Sequence, residues 1–347
     1  MSVEKHSKDY YCWLSYELID DEEKLINYQE MTGEVFIPGD SAIIKSAEEE
    51  LKRGLSGITG NLPEINKTEN KDCTLLVMKA IEKYSSEYFT EDELETLSEE
   101  GYLIKSLTID EKDLIIIGAR TDNGILYGVF RFLNLLQMGE DISELDILSN
   151  PSNNLRFINH WDNLDGSIER GYAGKSIFYE NNQLRDNLDR VKDYARLLAS
   201  IGINSIAINN VNVHYEETRL ISDKIDMVKT LAGIFRDYGI KTFLSVNYAS
   251  PIQLSDIETA DPLDEDVRQW WKEKVSEIYQ IIPDFGGFLV KADSESRPGP
   301  FTYDRNHADG ANMLAEALEP YGGIVIWRCF VYNCQQDWRD YETDRAR

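Results

Sequence analysis

The sequence predicts an α/β protein, with a small N-terminal α/β domain over residues 1–150 and the first part of a (β/α)8 barrel over 151–347. Three observations carry that expectation. After residue 150, strand-like and helix-like stretches alternate at intervals of about 35 to 45 residues, the beat of βα units with parallel strands. The first of those strands is followed by no Gly-x-Gly fingerprint, which favours a barrel over a doubly wound nucleotide fold. Glycines stand just past helix ends, at Gly202, Gly239 and Gly322, where a left-handed residue is wanted. A count of about five of the eight units of such a barrel implies that the barrel is truncated and the chain an N-terminal fragment.

In the first domain, residues 41–53 read as a helix with Glu48, Glu49, Glu50 and Lys52 facing water. Residues 74–78 and 114–117 are apolar runs of strand length, and 102–104 is a weaker one between them. The acidic stretch 90–100 opens with Thr90 and Glu93 at capping-box spacing. Residues 125–136 have helical periodicity. Clustered Asn, Ser and Pro make 146–154 a linker by composition. Beyond it, strands are expected at 157–161, 205–209, 241–246, 288–291 and 324–327. The helices between and after them are expected at 188–200, 224–238, 264–282 and 306–319.

Composition bounds the function. The 36 basic and 63 acidic residues give a net charge of −27, whose field disfavours nucleic acid and anionic membrane surfaces. No stretch reaches the ~18 uninterrupted apolar residues of a membrane span, and the N-terminus has no apolar signal core. A cytoplasmic protein is the expectation. Cys12, Cys73, Cys329 and Cys334 are scattered without zinc-site spacing, and the four histidines cluster nowhere, so reduced, mostly buried thiols and no metal are expected.

Each strand of the second domain ends in polar or aromatic residues. The first offers Asn159, His160, Trp161, Asp162 and Asn163; the second Asn209, Asn210, Asn212 and Val213; the third Asn247 and Tyr248. The fourth delivers Lys291, Asp293 and Glu295 at alternate positions, and the fifth Trp327 and Arg328. Barrel enzymes gather their chemistry at these ends. Amides bridge sugar hydroxyls and indole faces cover a pyranose, while glycoside hydrolysis needs a carboxylic acid for the leaving oxygen. Plainer readings stand beside these. Trp161 also fits a core, His160 a satisfied structural histidine, and the asparagines turns. Lys291 and Arg328 fit either ion-pair partners of Asp293 and Glu295 or a clamp for a ligand carboxylate.

Three motifs carry a resemblance: NHWDNLDGSIERGYAG at 159–174, VKADSESRPGPFTY at 290–303 with HADGANMLA at 307–315, and IWRCFVY at 326–332 with Asp337, Trp338 and Arg339. Together they resemble the glycoside hydrolase family 67 α-glucuronidases. The resemblance implies a hexosaminidase domain 2-like N-terminal domain before a catalytic barrel. It also implies inverting removal of (4-O-methyl-)glucuronic acid α-1,2-linked to the terminal xylose of xylo-oligosaccharides in xylan degradation, without metal or cofactor. A homodimer is open for the full-length protein. By the same resemblance Glu295 matches the general acid, Lys291 and Arg328 cations that bind the uronate, and Trp161 and Val213 residues lining the sugar pocket. The family's base is a carboxylate pair that would lie beyond Arg347, so residues 1–347 are expected to be inactive alone. Ser296 and Asp304 stand where the family pattern has glycine. Two other readings compete: a hexosaminidase-like glycoside hydrolase, and a non-catalytic carbohydrate-binding fragment. The Asp-x-Glu spacing and Lys291 suit a uronate better than an N-acetyl sugar.

Overall fold

The computed structural model describes residues 8–68, 72–80, 88–293 and 298–328. They form two units, one of 1–154 with 196–202 and 237–239, the other holding the rest.

The first unit is built on a six-stranded mixed sheet. Its strands are β1 (Glu34–Phe36), β2 (Glu64–Asn66), β3 (Leu75–Lys79), β4 (Tyr102–Ile109), β5 (Lys112–Ala119) and β6 (Asp146–Ser149), in the order β2-β1-β3-β5-β4-β6. The first four in that order run parallel, and β4 is antiparallel to both β5 and β6. The expected capping box forms: Glu93 N donates to Thr90 Oγ1 at 3.3 Å and Thr90 N to the Glu93 carboxylate at 2.8 Å. It opens a helix of one and a half turns, Glu91–Thr96, shorter than the acidic composition suggests. The run at 102–104 is the start of an eight-residue strand that turns into β5 at Asp110 and Glu111, whose φ values are 51° and 66°. Positive φ at both positions is the type I′ hairpin turn, and without the usual Asn-Gly or Asp-Gly pair the sequence does not announce it.

One reading of the sequence is corrected here. Residues 146–149, taken as linker, are the edge strand β6, with Ile147 opposite Ile104 and Ser149 opposite Tyr102. Its Ile147 and Ser149 are half-buried while Asp146 and Leu148 are exposed, an alternation too short to stand out against the Asn and Ser that follow.

The second unit carries a parallel sheet of β7 (Phe157–Asn159), β10 (Ser205–Ala207), β11 (Lys241–Val246), β12 (Gly287–Lys291) and β13 (Ile324–Arg328). A short hairpin, β8 (Tyr179–Glu180) and β9 (Gln183–Leu184), lies in the connection after β7. The five parallel strands neighbour one another in chain order, the arrangement of a (β/α) barrel, without the reversal of a doubly wound sheet. Ala207, Val211, Phe243 and Leu289 form one core layer, against which Phe157, Trp161 and Ile326 pack. Helices Asp189–Ser200, Ile225–Arg236, Glu265–Ile281 and His307–Leu318 separate or follow the strands, and Gly202, Gly239 and Gly322 take φ near +70° as expected.

The β12–β13 pair makes one glycine indispensable. Gly287 sits at φ +132°, a conformation L side chains rarely adopt, and a Cβ there would lie 2.7 Å from the backbone N of Ile324. Gly322 is left-handed too, but nothing lies within 4 Å of its Cβ position. Gly287→Ala is therefore expected to cost about 3 kcal/mol or more, and Gly322→Ala only about 1 kcal/mol. Urea unfolding of both variants checks this; equal midpoints would contradict it.

Candidate active site

The C-terminal ends of the five parallel strands hold the residues singled out in the sequence, but the structure divides them by task. At the end of β7, Asp162 is fully buried and accepts from His160 Nε2 at 2.7 Å, Ser176 Oγ at 2.5 Å and Ile177 N at 2.9 Å. A carboxylate satisfied by three donors anchors a loop. His160 places its other nitrogen 3.2 Å from the Tyr194 hydroxyl and packs on Phe178, so it is the satisfied structural histidine.

The asparagines after β10 are buried and engaged. Asn209 donates to Ser245 O at 3.0 Å and accepts from Ser245 N at 2.9 Å, continuing the ladder toward β11 as a side chain. Asn210 donates to Asn163 Oδ1 at 2.9 Å and to the carbonyl of Glu169 at 3.0 Å, tying together the loops after β7 and β10. Asn212 accepts from Lys291 Nζ at 2.5 Å across the sheet. Val213 follows it and is buried.

Lys291 and Arg328 are register partners at the last positions of β12 and β13. Neighbouring strands lie about 4.8 Å apart, so both cations start from adjacent backbone positions. Lys291 is 5% exposed. The Arg328 guanidinium carbon lies 5.7 Å from the centroid of the Trp161 ring, a cation–π contact from the far strand of the sheet. Trp161 therefore packs against the core layer and also lies under the Arg328 guanidinium.

The strand stops at Lys291. Asp293 sits at φ +52°, outside extended geometry, so the alternation expected to run through Asp293 is broken there. Its Oδ2 accepts from Phe301 N at 3.2 Å. Burial raises the Asp293 pKa, against the opposing pull of that hydrogen bond and of His307, and burial lowers the His307 pKa. Trp327 Nε1 donates to His307 Nδ1 at 3.2 Å and meets Tyr248 edge to face, so this indole belongs to an aromatic cluster beside Asp293. Asp304, standing where glycine was expected, takes φ +56° and closes the turn Pro300–Tyr303. The left-handed conformation is kept by a residue type that tolerates it. Glu295, Arg297 and Ser296 lie outside the described residues, as do Cys329, Cys334 and the motif at 337–339.

A feature missed in the sequence is a cavity of about 780 Å³ at the loops after β7 and β10, lined by Asn163, Asp165, Glu169, Asn212, Tyr215 and Glu216 among others. Its lining takes three residues of positive φ, Glu169 (58°), Gly171 (92°) and Asn182 (60°), from separate turns of the chain. Among the described residues no group of three His, Cys, Asp or Glu could hold a metal ion. Of the two cysteines described, Cys73 is buried and Cys12 is exposed.

Two family models match successive parts of the chain. Residues 12–132 match the Glycosyl hydrolase family 67 N-terminus, and residues 135–347 the Glycosyl hydrolase family 67 middle domain. Alpha-glucuronidase A of Emericella nidulans is 40% identical over 347 residues, covering 96% of this chain and 40% of that protein. Alpha-glucuronidase of Hypocrea jecorina is 42% identical over 312 residues, covering 87% and 36%. The chain thus spans 40% or less of the length of these two curated relatives. A solved structure described as a novel family GH115 4-O-methyl-alpha-glucuronidase superimposes with a TM-score of 0.56 at 14% identity, over 84% of this chain and 40% of that one. That last likeness is one of fold.

Proposed function

The chain belongs to glycosyl hydrolase family 67, and on that premise we propose that the protein hydrolyses the α-1,2 bond between (4-O-methyl-)glucuronic acid and the terminal xylose of xylo-oligosaccharides. The observation that supports the reading is the placement of Lys291 and Arg328 side by side in register at the C-terminal ends of neighbouring parallel strands. Two cations there suit a carboxylate on the sugar. Local charges within a few ångströms outweigh a net charge of −27 that is spread over the surface and screened beyond about 8 Å at physiological salt. Lys291 is oriented by Asn212 and Arg328 by the face of Trp161, so the clamp is held before the ligand arrives.

In this mechanism the Glu295 carboxyl gives its proton to the xylose oxygen as the bond from the anomeric carbon to that oxygen breaks. Water enters from the opposite face of the ring and loses a proton to a second carboxylate, which inverts the anomeric centre.

The test uses the full-length protein with aldotriouronic acid, 4-nitrophenyl α-D-glucuronide and an N-acetylglucosaminide. Glu295→Ala should lower turnover of aldotriouronic acid by about 10²- to 10⁴-fold. The loss should be smaller for the nitrophenyl substrate, whose leaving group needs little protonation. Equal losses on both would remove Glu295 as the acid. Cleavage of the N-acetylglucosaminide alone would move the protein to the hexosaminidase-like reading. Uronate binding without any turnover would favour a carbohydrate-binding role.

A further inference from the structure

Two adjacent asparagines after β10, each 0% exposed, serve different neighbours. Asn209 commits its amide to the next strand, donating to Ser245 O and accepting from Ser245 N, while its carbonyl takes the Ser245 hydroxyl at 2.9 Å. Asn210 points its amide the other way. Its Nδ2 donates to Asn163 Oδ1 at 2.9 Å and to Glu169 O at 3.0 Å, and its Oδ1 accepts from Asn212 N at 2.9 Å. Its backbone N donates to Asp162 O at 3.0 Å.

Followed outward, these bonds reach both cations at the strand ends. The bond to Asn212 N closes an Asx turn over two residues. That turn places the Asn212 side chain, whose Oδ1 accepts from Lys291 Nζ at 2.5 Å. In the other direction, Asn210 holds the Glu169 carbonyl, and Glu169 N donates to Trp161 O at 3.0 Å. Asn163 Nδ2 bonds the same Glu169 carbonyl at 2.9 Å, and Asn163 is itself fixed by Asn210. Two successive carbonyls, of Trp161 and Asp162, are therefore fastened, one by Glu169 and one by Asn210. The indole between them lies 5.7 Å from the Arg328 guanidinium carbon.

We propose that Asn210 is a positioning residue for the cation pair, setting Lys291 through Asn212 and Arg328 through Trp161. The proposal rests on the reading of Lys291 and Arg328 as a uronate clamp. Register pairing brings the two backbones together but leaves long, rotatable side chains to be placed by whatever meets their tips. Those partners, Asn212 and Trp161, stand on the loops after β10 and β7, and Asn210 joins these loops through four hydrogen bonds. Being fully buried, it acts on a ligand only through these neighbours. A carboxylate then meets an ammonium and a guanidinium whose relative placement is set in advance.

The experiment is calorimetric titration of the full-length protein with D-glucuronate and with neutral methyl glucoside, the ratio of the two affinities giving the acid preference. Asn210→Ala should lower that preference by roughly tenfold or more. Asn209→Ala removes buried hydrogen bonds too, but its amide leads to neither cation, so the preference should stay within about twofold. In the Lys291→Met background Asn210→Ala should lose less than it does alone, because one of its two routes is already gone. Asn210→Ser serves if the alanine variant does not fold. Its hydroxyl can still accept from Asn212 N but is too short for Asn163 and Glu169, so the preference should fall about threefold through Arg328.

Equal weakening of both ligands by Asn210→Ala, or an equal loss of preference in Asn209→Ala, would make Asn210 a structural residue and overturn the proposal. So would losses that simply multiply in the double variant, or an unchanged preference in Asn210→Ser. An acid preference lost in Lys291→Met but kept in Asn210→Ala would overturn it and leave the clamp standing. A preference unmoved even by Lys291→Met would sink the uronate reading, and the positioning role with it.

Discussion

Lys291→Met in the full-length protein is expected to weaken D-glucuronate binding by roughly 30- to 1,000-fold, from the 2–4 kcal/mol lost when one partner of a desolvated, hydrogen-bonded charge pair is truncated. Binding of neutral methyl glucoside, which makes no use of a cation, should hardly change. The size of the effect follows from burial. Lys291 is 5% exposed and is steered by Asn212 at 2.5 Å, so a carboxylate reaching it leaves water for a fixed ammonium. Arg328→Lys should lose roughly tenfold on the same ligand despite keeping the charge. An ammonium cannot present a planar fork to a carboxylate, and it is a weaker partner than a guanidinium for the face of Trp161. Competition titrations with glucuronate and methyl glucoside read both variants. An unchanged preference for the acid would take the two residues out of the clamp.

The second large effect is on stability. In the first unit Glu50 and Arg196 are 3% and 2% exposed and joined by two hydrogen bonds, Arg196 Nε to Oε2 at 2.6 Å and the terminal nitrogen to Oε1 at 2.7 Å. Arg196 also donates to Leu14 O at 3.2 Å, and the Tyr16 hydroxyl donates to Glu50 at 2.5 Å. Burial, followed by the charge of Glu50, raises the Tyr16 pKa far beyond the ordinary tyrosine range, so the hydroxyl remains a donor. Arg196→Ala leaves a buried carboxylate with Tyr16 but without its cation. The expected loss is about 3–5 kcal/mol, a large share of the 5–15 kcal/mol by which typical proteins are stable. Replacing both partners, as Glu50→Leu with Arg196→Met, removes the desolvated charges together and should cost far less. Urea unfolding measures both variants against the parent. A single variant within about 1 kcal/mol of the parent would show that water reaches the pair.

Glu50 also marks a limit of pattern reading. Its place among Glu48, Glu49 and Lys52 assigns it to a solvated helix face, and Glu48 does pair there with Lys52 and Lys67 at 2.6 Å each. Its partner Arg196 is 146 residues away, and nothing local distinguishes a carboxylate that will meet a buried guanidinium from its exposed neighbours.

Local physics made much of the rest legible. Strand-length apolar runs separated by helical periods, with glycine at the helix ends, determined the βα order of the second unit and placed Trp161, Lys291 and Arg328 at strand ends. Capping chemistry determined where helices begin at Thr90, Asp264 and Asn306. The family motifs run along the same segments. What depended on the tertiary structure was the use of each polar residue. Only parallel pairing in register brought Lys291 beside Arg328, and only closure of the sheet toward β7 laid the guanidinium over Trp161. The asparagines after β10 read alike in sequence but divide into a ladder extension, a loop tie and a lysine guide. The cavity after β7 and β10 has no sequence signature, because its wall takes Asn163 and Glu169 from one loop and Asn212 and Tyr215 from another. Periodicity and capping act within a few residues and can be read from the chain, whereas a side chain's partner across the fold is settled only when distant backbones are brought together.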